Sequence, residues 1–513
     1  MPEVVLGSDG EGGVVGVFGE GKSEDSVIRS DKCMVVSFDE NRTAGASHAG
    51  VHHCDVDRPG RKAGVRLAQC ERGLSDVERL NLVGDIDQSG IRADSQDDAL
   101  HGSDVVVGEA EIGEKGDERR TGHDLAVKWA YVRHSYFDYN ATGPVAPVVL
   151  RSLAESLSEV YGNASSIHYF GQGARQRVEA ARRSVAARLG CDAREIVFTS
   201  GGTESDNMAL FGVARRAPGC GIVTSAIEHP AVLSTCARLE REGHPVAYLA
   251  PGADGVVSAD SVAAALRGTG IVSIMHANNE TGVMQPIEEI ATICRAAEVL
   301  LHVDGVQAFG KAGFPAGCDL YSVSGHKMGA PKGVGALYVR KGVALDPILY
   351  GGRHERERRA GTENVPGIVA LGCAAGIAYD SAGIAALRDR LETGVLARVP
   401  ACTVNGGQSP RLPNTTNIRF DGIEGEAMTI ALDLKGFAVS SGSACSSGAV
   451  EPSHVLLAMG LKPEEARSSV RFSLGPGNTV EEVDSLIDAV VECSAHLRRI
   501  SATFRSEEAV AHA

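Results

Sequence analysis

The feature that most constrains this chain is a series of short apolar runs, "EIVFTS", "GIVTS", "VSIMHAN", "VLLHVD" and "DLYSVS", each ending in polar residues. Runs this short and this continuously apolar are the pattern of strands buried on both faces. Helical segments lie between most of them. One precedes the series: Val178, Ala181, Val185 and Leu189 fall at helical spacing within 174–189, and Gly190 suits the C-terminal cap. The alternation predicts an α/β domain around a mostly parallel sheet. From about residue 390 strands and helices mix differently, as in a smaller α+β domain. Its last helix opens with Thr479 and, three residues on, Glu482, a capping-box pair. The 513 residues exceed what one hydrophobic core serves, and no internal repeat is visible.

Composition excludes some functions. The formal net charge of -16, without a long basic run, repels phosphate backbones and argues against direct nucleic-acid binding. No run of about 18 apolar residues or charged-then-apolar leader points to a membrane. The 12 cysteines are scattered without tight C-x-x-C pairs, as for reduced thiols in the cytoplasm. His52, His53 and Cys54 lack a matched second pair of ligands, so no metal site is expected there. Residues 1–130 hold 26 acidic and 15 basic side chains and lack a sustained hydrophobic period. We expect residues 1–131 to be a disordered or weakly ordered β-rich extension, or no part of the native product. The last reading follows from the abrupt change of pattern and the absence of methionine between Met34 and Met208, and puts the start near Val132.

In open parallel sheets ligands collect at the C-terminal ends of strands. The polar residues there are the candidates. Ser200-Gly201-Gly202-Thr203-Glu204 opens a helix and reads as an anion cradle or as a capped glycine turn. Glu228 and His229 follow the second run, and His229 reads as catalytic or as structural. Asn279-Glu280-Thr281-Gly282 follows the third. Asp304, with Gln307 three residues on, could face a cationic ring nitrogen or cap the next helix. Lys327, after Ser324-Gly325-His326, is costly at a buried strand end unless paired or neutralised, which is also what suits lysine to Schiff-base chemistry. Lys332 competes, but its "PKG" setting reads as a turn. Small residues from Ser440 to Gly448 surround Cys445, as for an accessible thiol, although single cysteines are also commonly inert. Arg471, in an apolar run, needs an anionic partner from protein or substrate.

In this order, "FDYNATGP", "YGNASSIH", "EIVFTSGGTESDN", "EHPAVL", "NNETGV", "HVDGVQAFGK", "SGHKMGAPKGVGALYVR", "RRAGTEN", "RLPNTTNI" and "SSGSACSSGAVEPSH" resemble the class V aminotransferase family. More narrowly they are similar to cysteine desulfurases of the NifS/IscS type, from about Tyr136 to Leu497. The resemblance implies the fold-type-I architecture of pyridoxal-phosphate enzymes. The large domain would span 146–390. The small domain would join 132–145 to 391–500 and carry the Cys445 loop, with 501–513 a flexible tail.

The resemblance also implies roles. Lys327 would bind pyridoxal 5'-phosphate covalently, Asp304 would pair with its ring nitrogen, and Gln307 would bond its phenolic oxygen. His229 would stack on the ring and assist proton transfer. Thr203, Ser324 and His326, with the backbone at Gly202, would hold the phosphate. Thr362 would reach the neighbouring subunit's cofactor, making a homodimer. Asn279 and Arg471, with Asn140 nearby, would hold the substrate carboxylate, and Asn279 would also border the cofactor. Cys445 would take sulfur from L-cysteine as a persulfide, leaving L-alanine. A protein acceptor serving iron–sulfur assembly or tRNA thiolation would receive that sulfur. No resident metal is implied, and Cys445 is a candidate transient iron–sulfur ligand only together with a scaffold. The alternatives are a selenocysteine lyase or another class V aminotransferase and, from a different class, a non-catalytic sulfur carrier or scaffold partner. Gly143, Gly202 and Gly305 depart from the family's usual Thr and Ala, which predicts intact chemistry with a looser cofactor fit. Arg353 makes "GGRHERERRAGT" unusually basic. The tail "ISATFRSEEAVAHA" lacks the aromatic ending with which relatives grip a scaffold.

Overall fold

The computed structural model describes residues 134–441 and 451–500 in full and, upstream, the backbone of seven strands. The chain divides into two compact units, Met1–His134 and Ser135–Ala513. In the first, strands pair antiparallel. Four, from Val4–Ser8 to Ala49–Val51, form one sheet; in another, Leu125–Val132 lies between Asn81–Val83 and Val105–Ile112. His52, His53 and Cys54, the rest of the 1–131 segment, the loop 442–450 with Cys445, and the tail 501–513 lie outside the described residues.

The second unit is built on seven strands: β1 (Ile196–Thr199), β2 (Gly221–Ser225), β3 (Val246–Leu249), β4 (Thr269–Met275), β5 (Leu300–Asp304), β6 (Leu320–Ser324) and β7 (Gly335–Val339). They lie in the order β3-β2-β4-β5-β6-β7-β1. The neighbours from β3 through to β6 are parallel, while β7 runs antiparallel to both β6 and β1. Six strands therefore point their C-terminal ends the same way. Side chains alternate between two cores. Ile196 and Phe198 enter one, with the helices Tyr169–Leu189 and Val365–Ala375; Val197 enters the other, with Gly202–Arg216 and Pro230–Arg241. Val178, Ala181, Val185 and Leu189 are buried as the helical spacing predicts, and Gly190, at φ 66°, closes that helix in the left-handed conformation.

The five apolar runs all form sheet strands. The pattern does not single out β3, a half-exposed edge strand, or β7, whose Gly335 and Ala336 shorten its apolar signature.

A third core joins the helices Ser381–Arg398, Gly425–Asp433 and Val480–Ile500 to an antiparallel sheet, β8 (Cys402–Val404), β9 (Thr415–Phe420) and β10 (Ser469–Ser473). Phe137 is fully buried in it, and Ser135–Tyr136 pairs with Phe437–Ala438. A boundary at residue 390 falls inside the helix Ser381–Arg398. Ile384 already belongs to this third core, so the change of core comes earlier. Thr479 and Glu482 cap Val480–Ile500 reciprocally, at 3.3 and 3.2 Å.

Candidate active site

The site gathers where β4, β5 and β6 end. After β6 the chain makes one 3-10 turn, Gly325–Lys327. Lys327 Nζ donates to the carbonyls of Asn140 at 2.5 Å and Ala141 at 2.8 Å. The chain segment before the large sheet thus lies across the lysine. Lys332, the competitor, is exposed.

Asp304 closes β5, which neighbours β6, and accepts from the Val306 N–H at 2.9 Å. That bond fits the capping alternative, but the carboxylate is buried. Burial lifts its pKa to about 6, and the Val306 N–H and the charge of Lys327 oppose the rise. Gln307 donates through Nε2 to Asn140 O at 3.0 Å. Asn140 itself is buried. Its Nδ2 donates to Thr415 Oγ1 at 2.9 Å and Asn279 O at 3.1 Å, and its Oδ1 accepts from Asn414 at 3.0 Å.

His229 caps the helix Pro230–Arg241, its Nδ1 accepting from Ala231 N at 3.1 Å. The ring is open to the cleft but ringed by protein. Desolvation first, then Lys327 and His454, hold it well below the usual imidazole range, at about 4, so it is neutral near pH 7. His326 bonds Thr142 Oγ1 at 3.1 Å and is likewise lowered to about 4, by burial and then by Lys327 and Lys332. Gly202 begins the helix Gly202–Arg216, with Thr203 exposed beside it and Ser324 buried across the sheet end.

Arg471, on β10, meets a protein carboxylate: Nη2 lies 2.6 Å from Asp138 Oδ1, and Nη1 donates to Asn279 O at 3.0 Å. Its Nε is buried without a hydrogen-bond partner among the described residues. Asn279 joins this cluster through its carbonyl. The described residues on both sides of the Cys445 loop are anchored here. Ser440 pairs with the Arg471 backbone, Ser453 donates to Glu280, and His454 Nε2 lies 2.9 Å from Glu228 O. Thr362 stands apart. With Ser200 and Arg359 it lines a cavity of about 240 Å³ beside the end of β1, and none of the other candidate residues lines that cavity.

Two polar groups here escape the sequence reading, Asp206 and His302, and they lie in one buried cluster with Glu228. Asp206 and His302 are buried 3.6 Å apart. His302 also bonds Ser273 at 2.8 Å and Ser322 at 3.0 Å. His302 lies two residues before Asp304, on the same face of β5, and that period is the signal that could have found it. Burial, with the charge of Asp304 adding to it, raises Asp206. Glu228 is buried and pushed up to about 8, its Oε1 accepting from Ser225 and from Met275 N. Asp206 Oδ1 and Glu228 Oε2 have no hydrogen-bond partner among the described residues. The buried Asp304 carboxylate on the strand beside the lysine suits a cationic aromatic ring, and the open helix start at Gly202 suits its anionic substituent. Lys311 is buried as well.

Two of the three glycines that depart from the family pattern leave no empty space beside them. A Cβ on Gly305 would lie 1.9 Å from Tyr321 Cζ, and one on Gly202 would lie 2.5 Å from Val306 Cγ2. The expected space is already filled by a larger neighbour. Gly143 alone has room, its nearest neighbour at 3.5 Å. The "HERERR" stretch is likewise not simply basic. Glu355, Arg356 and Glu357 take left-handed φ of 45°, 58° and 65°, a conformation unfavourable for side-chain-bearing residues. A buried pair of Arg182 with Glu355 at 2.7 Å, Arg359 with Glu204 at 2.8 Å, and Arg353 with Glu357 at 3.2 Å hold it.

The family description Aminotransferase class-V matches residues 135–486. The chain belongs to this family. A "Cysteine desulfurase" of Trichormus azollae is 48% identical over 384 residues, 73% of this chain and 96% of the relative. A solved "NIFS-LIKE PROTEIN" is 37% identical, with a TM-score of 0.66 over 71% of this chain and all of that one. "SspA in complex with cysteine" is also 37% identical, at a TM-score of 0.61 over 67% of this chain and 99% of that one. Among the described residues no helix is long and apolar enough to cross a membrane, and no group of three or more metal-ligating side chains forms.

Proposed function

We propose that this protein is a pyridoxal-phosphate-dependent cysteine desulfurase, converting L-cysteine to L-alanine and passing the sulfur to Cys445. The observation that carries the reading is Lys327 and the buried Asp304 at the ends of adjacent strands, in a chain 48% identical to a relative of that name. Bound pyridoxal phosphate would supply an electron sink. Lys327 would hold it covalently, Asp304 would pair with its ring nitrogen and Gln307 with its phenolic oxygen. Gly202, Thr203, Ser324 and His326 would hold its phosphate, with Thr362 coming from the second subunit of a homodimer.

The residues of the chain then divide the work. Arg471, already carrying Asp138, offers its guanidinium, whose Nε has no hydrogen-bond partner among the described residues, to the substrate carboxylate, assisted by Asn140 and Asn279. Lys327 would move protons, and neutral His229 would accept or return one. Cys445 supplies the thiolate. Its sulfur forms a new S–S bond as the substrate C–S bond breaks, and the electron pair left on carbon takes a proton to give alanine. The persulfide then goes to an acceptor protein. Borohydride reduction of the loaded protein, followed by peptide mass analysis, tests the anchor. The pyridoxyl adduct is expected on Lys327, and an adduct on Lys332 or none at all refutes the reading.

A further inference from the structure

Lys311 is a buried lysine with no part in the chemistry above, only 7% exposed. Backbone bonds from Ala308 and Phe309 to Gly305 O, and from Lys311 and Ala312 to Ala308 O, wind residues 305–312 into helical turns. Gln307 and Lys311, four residues apart, therefore share a face. Lys311 Nζ donates to Gln307 Oε1 at 3.4 Å, its one acceptor among the described residues. The lysine backbone is fixed as well, its carbonyl accepting from Ser381 Oγ at 3.2 Å. Burial, with Lys327 and Arg471 adding repulsion, lowers Lys311 to about 7.

A glutamine amide can sit either way round, and its neighbours decide which. Lys311 Nζ reaches the amide as a donor, so it selects the oxygen. Nε2 is then left facing Asn140. We propose that Lys311 is a positioning residue that fixes the Gln307 amide with Nε2 turned into the site, ready to donate to the cofactor's phenolic oxygen. This rests on the functional reading above and assigns the orientation of one of its donors to a residue outside the contact set.

The test compares pyridoxal 5'-phosphate dissociation constants and the absorbance maximum of the bound cofactor for wild type, Lys311→Met, Gln307→Ala and the double variant, with Lys311→Arg as the conservative control. Losing one aimed hydrogen bond predicts a roughly 5-fold weaker Kd for Lys311→Met and a displaced maximum. In the Gln307→Ala background the same substitution should change Kd by less than about 2-fold and leave the maximum in place. Lys311→Arg should stay near wild type. Equal effects in both backgrounds, or none in either, overturn the proposal, because a merely structural lysine would act independently of Gln307. A wild type that takes up no pyridoxal phosphate overturns the functional reading and this inference with it. Normal loading of an unaffected Lys311→Met variant overturns this inference alone.

Discussion

Gly305→Ala is a one-methyl change beside Asp304, and the structure gives it a large cost. The added Cβ would stand 1.9 Å from Tyr321 Cζ, 2.1 Å from Cε1 and 2.5 Å from the hydroxyl. Tyr321 cannot easily retreat. It is 1% exposed, packs edge-on against Phe314 at 5.1 Å, and holds His276 Nδ1 at 3.1 Å. Overpacking of a dense core costs about 1 to 3 kcal/mol, and disrupting a buried hydrogen bond costs about 1 kcal/mol or more, so roughly 3 kcal/mol of stability is expected to go. The cost depends on the ring. In a Tyr321→Leu background, itself destabilised by about 3 kcal/mol through the cavity it leaves, Gly305→Ala should be nearly neutral. Urea unfolding followed by circular dichroism at 222 nm measures all four proteins. The same penalty for Gly305→Ala in both backgrounds would refute the argument that Tyr321 occupies the missing methyl's place.

Other consequences follow from the same contacts. Glu228 has a folded pKa near 8, above its ordinary carboxylate value, so its folded state keeps a proton that the unfolded chain loses first. Wild type should therefore lose about 1.4 kcal/mol per pH unit relative to Glu228→Gln between about pH 5 and 8, in paired unfolding measurements; a pH-independent difference contradicts the assignment. Arg182→Met strands the buried Glu355 and should cost about 3 to 5 kcal/mol in thermal or chemical unfolding. Arg471→Lys, which removes the planar donor fork, should raise KM for L-cysteine by roughly 10-fold or more while kcat changes less; an unchanged KM places the substrate carboxylate elsewhere.

Most of the sheet was legible because its strands are short, largely apolar runs that end in chemistry-bearing residues; β7, inside the sheet, was not singled out because Gly335 and Ala336 shorten its apolar signature. β3 was not, since an edge strand exposed on one side carries a mixed pattern. Lys327, Asp304, Gln307, His229 and Asn140 converge because polar strand ends and the segment after Asp138 meet at one side of the sheet. The buried carboxylate and histidine group was harder to see. Asp206, His302, Ser273 and Ser322 come from four separate elements, and no local spacing joins them. Gly305 was misread for a similar reason. A glycine's neighbour across a sheet, here Tyr321, is invisible in its own segment. Arg471 illustrates a partial success: the need for an anion was evident from its apolar setting, but Asp138, far away in sequence, was not.

The most direct test of the account is alanine and sulfide release from L-cysteine with a thiol reductant, by the pyridoxal-phosphate-loaded protein and its Cys445→Ser variant. The account predicts equal amounts of alanine and sulfide from wild type, and neither from a variant that keeps its bound cofactor. Undiminished turnover by Cys445→Ser, or wild type that makes no alanine, would contradict it.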